Sequence, residues 1–178
     1  KKSDIIIDCA PKSAFKKILE TSLLNQKKLI TISGSGILEN FDSVKNANKS
    51  KTQVILASGA IIGLDGLRAA SEGKIFSVSM ITKKPPNALK NAKFVLENKI
   101  SLEKLSGSKM IFQGSAKEGA KAFPANVNVA AALGLAGVGP DNTILEIWAD
   151  PALQRNTHSI EVEADSARLK FSIENVPS

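Results

Sequence analysis

The sequence predicts an α/β fold in which a partial Rossmann-like parallel sheet is followed by an α+β domain with a mainly antiparallel sheet. In the first part of the chain, short β-branched runs alternate with helical segments, which is the order of a parallel sheet with right-handed crossovers. In the last third, polar and apolar residues alternate, as in antiparallel strands. We expect the boundary between the two parts at residues 62 and 63.

The first part, residues 1–62, predicts three strands and two helices. Residues 3–8 contain Ile5-Ile6-Ile7 without polar alternation, which predicts a strand buried on both faces. A helix is expected from about residue 13 to 25, with Phe15, Ile18, Leu19 and Leu23 on one face. The later elements are a strand at 29–33, a chain turn at Gly34-Ser35-Gly36, a helix at 41–48 and a strand at 53–56.

The second part, residues 63–178, predicts helices followed by three strands. A helix from about Leu64 ends before Gly73, a strand covers 74–81, and Lys83-Lys84-Pro85-Pro86 interrupts it, with irregular chain at 87–109. Ser115 and Glu118 have the spacing of a capping box for a helix at 115–122, and Asn126 can cap an Ala-rich helix that ends near Gly137. Strands are expected at 143–149, 158–164 and 168–174, the last two joined by a turn at Asp165-Ser166.

Composition excludes some classes of protein. The net charge is +7, but the lysines are scattered, aromatic residues make up only 4% and tyrosine is absent, which favours a solvated surface over nucleic-acid binding. No apolar run reaches the ~20 residues of a membrane span. The single cysteine, Cys9, is expected to be a buried thiol at a strand end and indicates a cytoplasmic protein. The dispersed carboxylates, with one cysteine and one histidine, predict no metal site.

The candidate functional residues lie between Phe123 and His158. His158 is the only histidine, and its unperturbed pKa of about 6.5 suits proton transfer, although a buried, hydrogen-bonded histidine is the simpler alternative. Asn126 and Asn128 flank the start of the Ala-rich helix, where one of them could serve only as a cap. Asn156 lies on the same side as His158 if the chain there is extended, but it could equally form a turn.

An ordered set of motifs resembles the NAD(P)-dependent L-aspartate dehydrogenase family over nearly the whole chain. The segments that carry the resemblance are Ser58-Gly59-Ala60, Gly63-Leu64-Asp65, Thr82-Lys83-Lys84-Pro85-Pro86, Gly114-Ser115-Ala116, Phe123-Pro124-Ala125-Asn126-Val127-Asn128, Gly139-Pro140-Asp141, Asp150-Pro151 with Asn156 and His158, and Ile173-Glu174-Asn175-Val176-Pro177-Ser178.

The resemblance implies oxidation of L-aspartate to iminoaspartate by hydride transfer to NAD or NADP. The exposed face expected of the antiparallel sheet suggests a homodimer, and the composition indicates no nucleic-acid or membrane partner. The resemblance implies that His158 is catalytic. It also implies cofactor contacts at Ser58, Gly59, Ala60 and Asn128 and substrate contacts at Asn126 and Asn156, with His158, Asn128 and Ala60 facing one crevice. A related amino-acid or semialdehyde dehydrogenase, a non-catalytic oligomerising paralogue and a basic RNA-binding protein remain alternatives.

Two features differ from the family pattern. Members of the family that this chain resembles begin with a strand and a Gly-x-Gly-x-x-Gly turn that binds the dinucleotide pyrophosphate. Gly34-Ser35-Gly36 does not match that turn. The family also usually continues into another helix after Ser178. We therefore expect the chain to be the interior of a longer protein that alone binds dinucleotide poorly and has little activity. The cation that binds the substrate carboxylates is left open among Lys83, Lys84 and Arg155.

Overall fold

The structure is a computed structural model that describes residues 3–47, 52–59, 61–124 and 127–176. The eight strands of this part of the chain are β1 Ile5–Asp8, β2 Lys28–Thr31, β3 Val54–Leu56, β4 Ile75–Lys84, β5 Lys109–Ser115, β6 Ile144–Ala149, β7 Asn156–Ala164 and β8 Arg168–Asn175. The seven α-helices are α1 Phe15–Leu24, α2 Gly34–Glu39, α3 Phe41–Ala47, α4 Leu64–Ala70, α5 Lys93–Glu97, α6 Ala116–Ala122 and α7 Asn128–Ala136. Short 3-10 turns cover Lys12–Ala14 and Pro86–Ala88.

Strands β1, β2 and β3 form the predicted parallel sheet, in that order. Phe15 and Leu19 of α1 are buried against Leu29 of β2, with Ile18 and Leu23 partly buried beside them, so the predicted apolar face of this helix is confirmed. The helix forms because apolar residues recur at the spacing of one helical face and can be covered by the sheet.

Three local predictions in this part are wrong. β1 is an edge strand whose Ile5 and Ile7 are 49% and 71% exposed, so it is not buried on both faces. Cys9, which follows this strand, is exposed and not buried. Gly34-Ser35-Gly36 is the first turn of α2, because burial of the following Ile37 and Leu38 favours a helix over a free turn.

The second sheet has five strands in the order β5-β6-β4-β7-β8 and is antiparallel except for the parallel pair β4 and β6. The mixed fold class and the predicted β7–β8 hairpin are confirmed. Two differences stand out. β4 extends through Lys84, so the two lysines lie in a strand that ends only at Pro85, which has no amide hydrogen to continue the ladder. Residues 110–114, which the sequence left unassigned, belong to β5.

One face of this sheet is buried and the other is open. Along β7 every second residue from Asn156 to Ala164 is buried, and Ser159 and Glu161 are exposed. Helices α4 and α7 cover the buried face through Leu64, Leu67, Ala130 and Leu133, which share one apolar cluster with the strands. Alternation of this kind is what a sheet with one covered face requires.

Helices and one loop connect the two sheets. Leu38 of α2 packs with Ala120 of α6 and Ala131 of α7, and a side chain at Gly34 would meet the Ala131 methyl at 2.9 Å. Gly63, at a positive φ of 79°, lies so close to the Phe171 ring that a Cβ there would overlap it. The predicted cap of α7 at Asn126 lies outside the described residues, and Val127 occupies the N-cap position. No helix within the described ranges is both long and apolar enough to cross a membrane.

Candidate active site

Four polar side chains occupy one end of the buried face of the second sheet. They are Thr82 and Lys84 of β4 and Asn156 and His158 of β7, each between 3% and 8% exposed. The β4–β7 register pairs Thr82 directly with His158, and the next position along this face places Lys84 beside Asn156. The rest of the face is apolar, with Met80 and Ile160 as the next pair. Polar groups buried in this way require partners, which marks this end as a candidate site.

His158 is a neutral imidazole at physiological pH. Burial, helped by the positive charge of Lys84, lowers the pKa of His158 from its usual 6.5 to about 4. Its Nδ1 lies 3.1 Å from the Thr82 hydroxyl oxygen. A threonine hydroxyl can either donate or accept, so a ring that donates its Nδ1–H to Thr82 leaves the Nε2 lone pair available. Sequence reasoning selected His158 but missed Thr82, its hydrogen-bonding partner.

Lys84 is the buried cation of the site. Burial lowers the pKa of Lys84 from its usual 10.5 to about 8. Because this pKa is still above 7, the ammonium group is charged at neutral pH. Of the other two candidates, Lys83 points to the opposite face, where its Nζ lies 5.9 Å from the centroid of the Trp148 ring, and Arg155 is exposed. The signal was in the sequence: Val78, Met80, Thr82 and Lys84 have the same parity along one strand.

Asn156 contributes a side-chain oxygen that could accept a hydrogen bond from a ligand. Its Oδ1 is buried and has no hydrogen-bond partner among the described residues. Asn175 of β8 pairs with Asn156 across the sheet, which continues the polar end by one strand. A buried acceptor without a donor costs free energy, about 1–3 kcal/mol, and so indicates a place for a ligand donor. The turn alternative for Asn156 is wrong, because the residue lies within β7.

Asn128 lies at a different place, the carboxyl edge of the parallel sheet. Its Oδ1 accepts hydrogen bonds from the Ser35 backbone amide at 3.2 Å and the Ser35 hydroxyl at 3.1 Å. A cavity of about 480 Å³ opens beside it, between the segments that follow β1 and β2. Its lining is Ala10, Pro11, Lys12, Ser13, Ile32, Ser33, Ser35, Pro124 and Asn128. Because Ser35 occupies the amide oxygen, the exposed Asn128 side chain presents its NH₂ group as a donor.

Ser58 and Gly59 follow β3 at the same edge, where parallel α/β sheets bind ligands. The Ser58 carbonyl accepts from the Ile61 amide at 3.4 Å, and Gly59 has a φ of 61° with open space where a Cβ would be. Ala60 and Asn126, the other two predicted contacts, lie outside the described residues.

The structure therefore brings some predicted residues together and leaves others apart. Asn156 and His158 share the buried end of the second sheet, whereas hydrogen bonds within the described residues connect Asn128 to Ser35 and not to His158. The connection after β3 runs between the two places, since Gly63 contacts Phe171, two residues along β8 from the Ile173 that pairs with His158. One crevice shared by His158, Asn128 and Ala60 stays a prediction. No metal-binding group of three or more His, Cys, Asp or Glu residues occurs among the described residues.

Comparison with known proteins identifies the family. The family model "Aspartate dehydrogenase, C-terminal" matches residues 65–178. L-aspartate dehydrogenase of Bradyrhizobium diazoefficiens is 49% identical over 176 residues, which cover 99% of this chain and 63% of that protein. L-aspartate dehydrogenase 3 of Bordetella bronchiseptica is 44% identical over 99% of this chain and 65% of its own length.

A solved structure supports the same assignment. The crystal structure of aspartate dehydrogenase from Thermotoga maritima superposes with a TM-score of 0.77 at 32% identity, covering 96% of this chain and 68% of that one. The chain thus spans less than two thirds of the length of these two curated relatives. It belongs to the aspartate dehydrogenase family.

Proposed function

We propose that the protein containing this chain is an oxidoreductase that transfers a hydride from L-aspartate to NAD or NADP and forms iminoaspartate. The observation that carries the proposal is the juxtaposition of His158, Lys84 and the partnerless Asn156 oxygen on one buried sheet face. A base, a cation and an acceptor are the groups needed to bind an amino dicarboxylate at its amine and its acid group. The names of the relatives supply the reaction type.

Residues of this chain would deprotonate the amine of the substrate. Hydride loss from the α carbon requires an unprotonated amine, so a group in the site must take up a proton. In the proposed arrangement, His158 donates Nδ1–H to Thr82 and receives the amine proton at Nε2. The bound dicarboxylate offsets the charge of Lys84 and so raises the pKa of His158 from about 4 towards a useful value.

Two asparagines are proposed as substrate contacts. Asn156 Oδ1 accepts from the substrate amine, which gives this buried oxygen its donor. Asn126 is proposed as a second substrate contact, in keeping with the resemblance.

The residues at the carboxyl edge fit the nicotinamide end of a dinucleotide. The donor NH₂ of Asn128 suits a carboxamide oxygen, and Gly59 leaves room for close approach of a ring. Ser58 and Ala60 complete this proposed contact. When bound, the cofactor would supply the hydride acceptor, and the chain would position it. The choice between NAD and NADP is left open.

Three further proposals concern the domain division, the fate of the product and the cellular location. We place a dinucleotide-binding part at residues 1–62 and a catalytic and oligomerising part at 63–178. Iminoaspartate would pass to NAD biosynthesis or hydrolyse to oxaloacetate and ammonia. A cytoplasmic location agrees with the free, exposed thiol of Cys9.

A homodimer is proposed through the open face of the second sheet. Ile81, Met110 and Ile144 are 37% to 48% exposed on it. The register pairs Met110 with Trp148, whereas Ile81 and Ile144 have polar cross-strand neighbours. Exposed apolar side chains on an uncovered sheet face support packing against a second copy.

Activity of the complete gene product tests the proposal. With aspartate and NAD or NADP, we expect reduced cofactor to form, and the variant His158→Ala to lower kcat/KM roughly 10²- to 10⁴-fold, the range for loss of a general base. Arg155→Ala is the control, because this exposed cation is three residues away on the chain but outside the site.

Other substrates separate the alternatives. Turnover of homoserine or alanine in preference to aspartate would favour a related amino-acid dehydrogenase. A dimer without activity towards any of these substrates would contradict the enzyme proposal.

A further inference from the structure

Two rows of side chains cross the buried end of the second sheet. The outer row is Ala149, Lys84, Asn156 and Asn175, and the next row is Ile147, Thr82, His158 and Ile173. Lys84 thus lies between a fully buried alanine and Asn156, whose Oδ1 has no hydrogen-bond partner among the described residues.

We infer that Lys84 binds the side-chain carboxylate of the dicarboxylic substrate and so determines its preference for an acidic amino acid. This inference rests on the proposed dehydrogenase function and assigns one of its open contacts. Lys84 is the candidate cation that shares a face with His158, whereas Lys83 points away towards Trp148. In a site with little water, a fixed ammonium attracts a carboxylate more strongly than a solvated lysine does.

The spacing along β4 decides which of the two substrate carboxylates Lys84 can reach. Lys84 is two residues beyond Thr82, the neighbour of His158, and two residues of a strand span about 6.6 Å. The amine and the α-carboxylate are attached to the same carbon, so both lie near His158. The carboxylate at the far end of the substrate reaches the outer row, where Lys84 lies.

Binding of succinate provides a test that needs no cofactor. The chain has a single histidine, so the ring nitrogen signals of ¹⁵N-labelled protein report on His158 alone. We expect succinate to shift these signals saturably and butyrate, which has one carboxylate, to bind at least tenfold more weakly. The variant Lys84→Met should raise the Kd of succinate at least tenfold.

Matched variants keep the test decisive. Lys83→Met removes the same charge from the opposite face and should leave the succinate Kd within twofold of the unmodified chain. Lys84→Arg keeps the charge and should retain most of the binding, which supplies a second answer if Lys84→Met does not fold. Unchanged succinate binding in a folded Lys84→Met variant would overturn the inference.

Kinetics of the complete gene product separate this inference from the dehydrogenase proposal. Lys84→Met should lower kcat/KM for aspartate far more than for alanine, so that the preference between them falls at least tenfold. Equal losses for both substrates would overturn the assignment to the side-chain carboxylate and leave the dehydrogenase proposal standing. Succinate binding that depends on Lys84, in a protein that does not oxidise aspartate, would support a carboxylate site and contradict the dehydrogenase.

Discussion

The buried lysine and histidine of β4 and β7 affect each other electrostatically. Each is held in a place where its charged form is poorly solvated, and the charge of Lys84 makes protonation of His158 still less favourable. A negatively charged ligand beside both groups reverses this effect. In the proposed function, an anion bound there would therefore make the imidazole a better base.

The hydrogen bond between His158 and Thr82 gives a prediction at the same scale. Thr82→Val removes the partner of Nδ1, so the preference for the tautomer with Nδ1–H should weaken, as seen in the ring ¹⁵N shifts of the single histidine. We expect kcat to fall roughly tenfold, the cost of about one hydrogen bond, with little change in KM.

Thr82→Ser should restore both the tautomer and kcat, since the hydroxyl is kept. Thr157→Val, on the neighbouring strand but facing the other way, should change neither. A tautomer ratio that is the same in Thr82→Val and the unmodified chain would show that Thr82 does not position the ring.

Helix α6 shows at the scale of an element how local chemistry fixes a boundary. Ser115 accepts from the Glu118 amide at 3.1 Å, and the Glu118 carboxylate accepts from the Ser115 amide at 2.8 Å, so the predicted capping box is present. These bonds from Ser115 lower the pKa of Glu118.

Removal of the cap should be measurable in stability. Ser115→Ala should lower the free energy of unfolding by about 1 kcal/mol, the usual cost of losing an N-cap side chain. Chemical denaturation measures this, with Ser172→Ala on the exposed face of β8 as the control. Equal stability of both variants would mean that the cap contributes nothing.

Elements with strong local signals could be predicted from the sequence, and those decided by their neighbours could not. α1 and the β7–β8 hairpin have clear periodicity, and both are found. β5 was not predicted, because a bulge near Ile111 and a glycine at 114 interrupt its alternation of buried and exposed residues. The choice of Lys84 over Lys83 was missed because β4 was expected to end before both residues, so the parity of its alternating positions was not extended to Lys84.

At the scale of the whole molecule, the open sheet face predicts association. Ile81→Lys places a charge on this open face and should convert a homodimer into monomers, as measured by analytical ultracentrifugation. Ile7→Lys is the control, because Ile7 is 71% exposed on the other sheet. A mass that stays at two chains in Ile81→Lys would exclude this face as the interface.

The stability of the whole chain should depend on pH through His158. Between pH 6.5 and about 4 the unfolded chain takes up a proton on this histidine that the folded chain resists, so stability falls as the pH falls through this range. The loss from this residue is up to about 3 kcal/mol, at 1.36 kcal/mol for each pKa unit.

The variant His158→Gln isolates this contribution. Carboxylates also titrate near pH 4, so the quantity of interest is the difference in unfolding free energy between the variant and the unmodified chain, measured by denaturant titration from pH 7 to 4. The variant should lose less stability than the unmodified chain. Parallel curves would show that the folded state does not suppress protonation of His158.

Because Lys83 and Lys84 of β4 face opposite sides of the sheet, the site is sensitive to insertions and deletions within this strand. Deleting or adding one residue between Ser77 and Thr82 would exchange the two lysines, turning Lys84 to solvent and Lys83 into the protein, while a change of two residues would preserve their orientation. Relatives and engineered versions of this strand should therefore tolerate even length changes better than odd ones. The existing bulge between Ile75 and Ser77 is the place where a single extra residue can be absorbed without inverting the site.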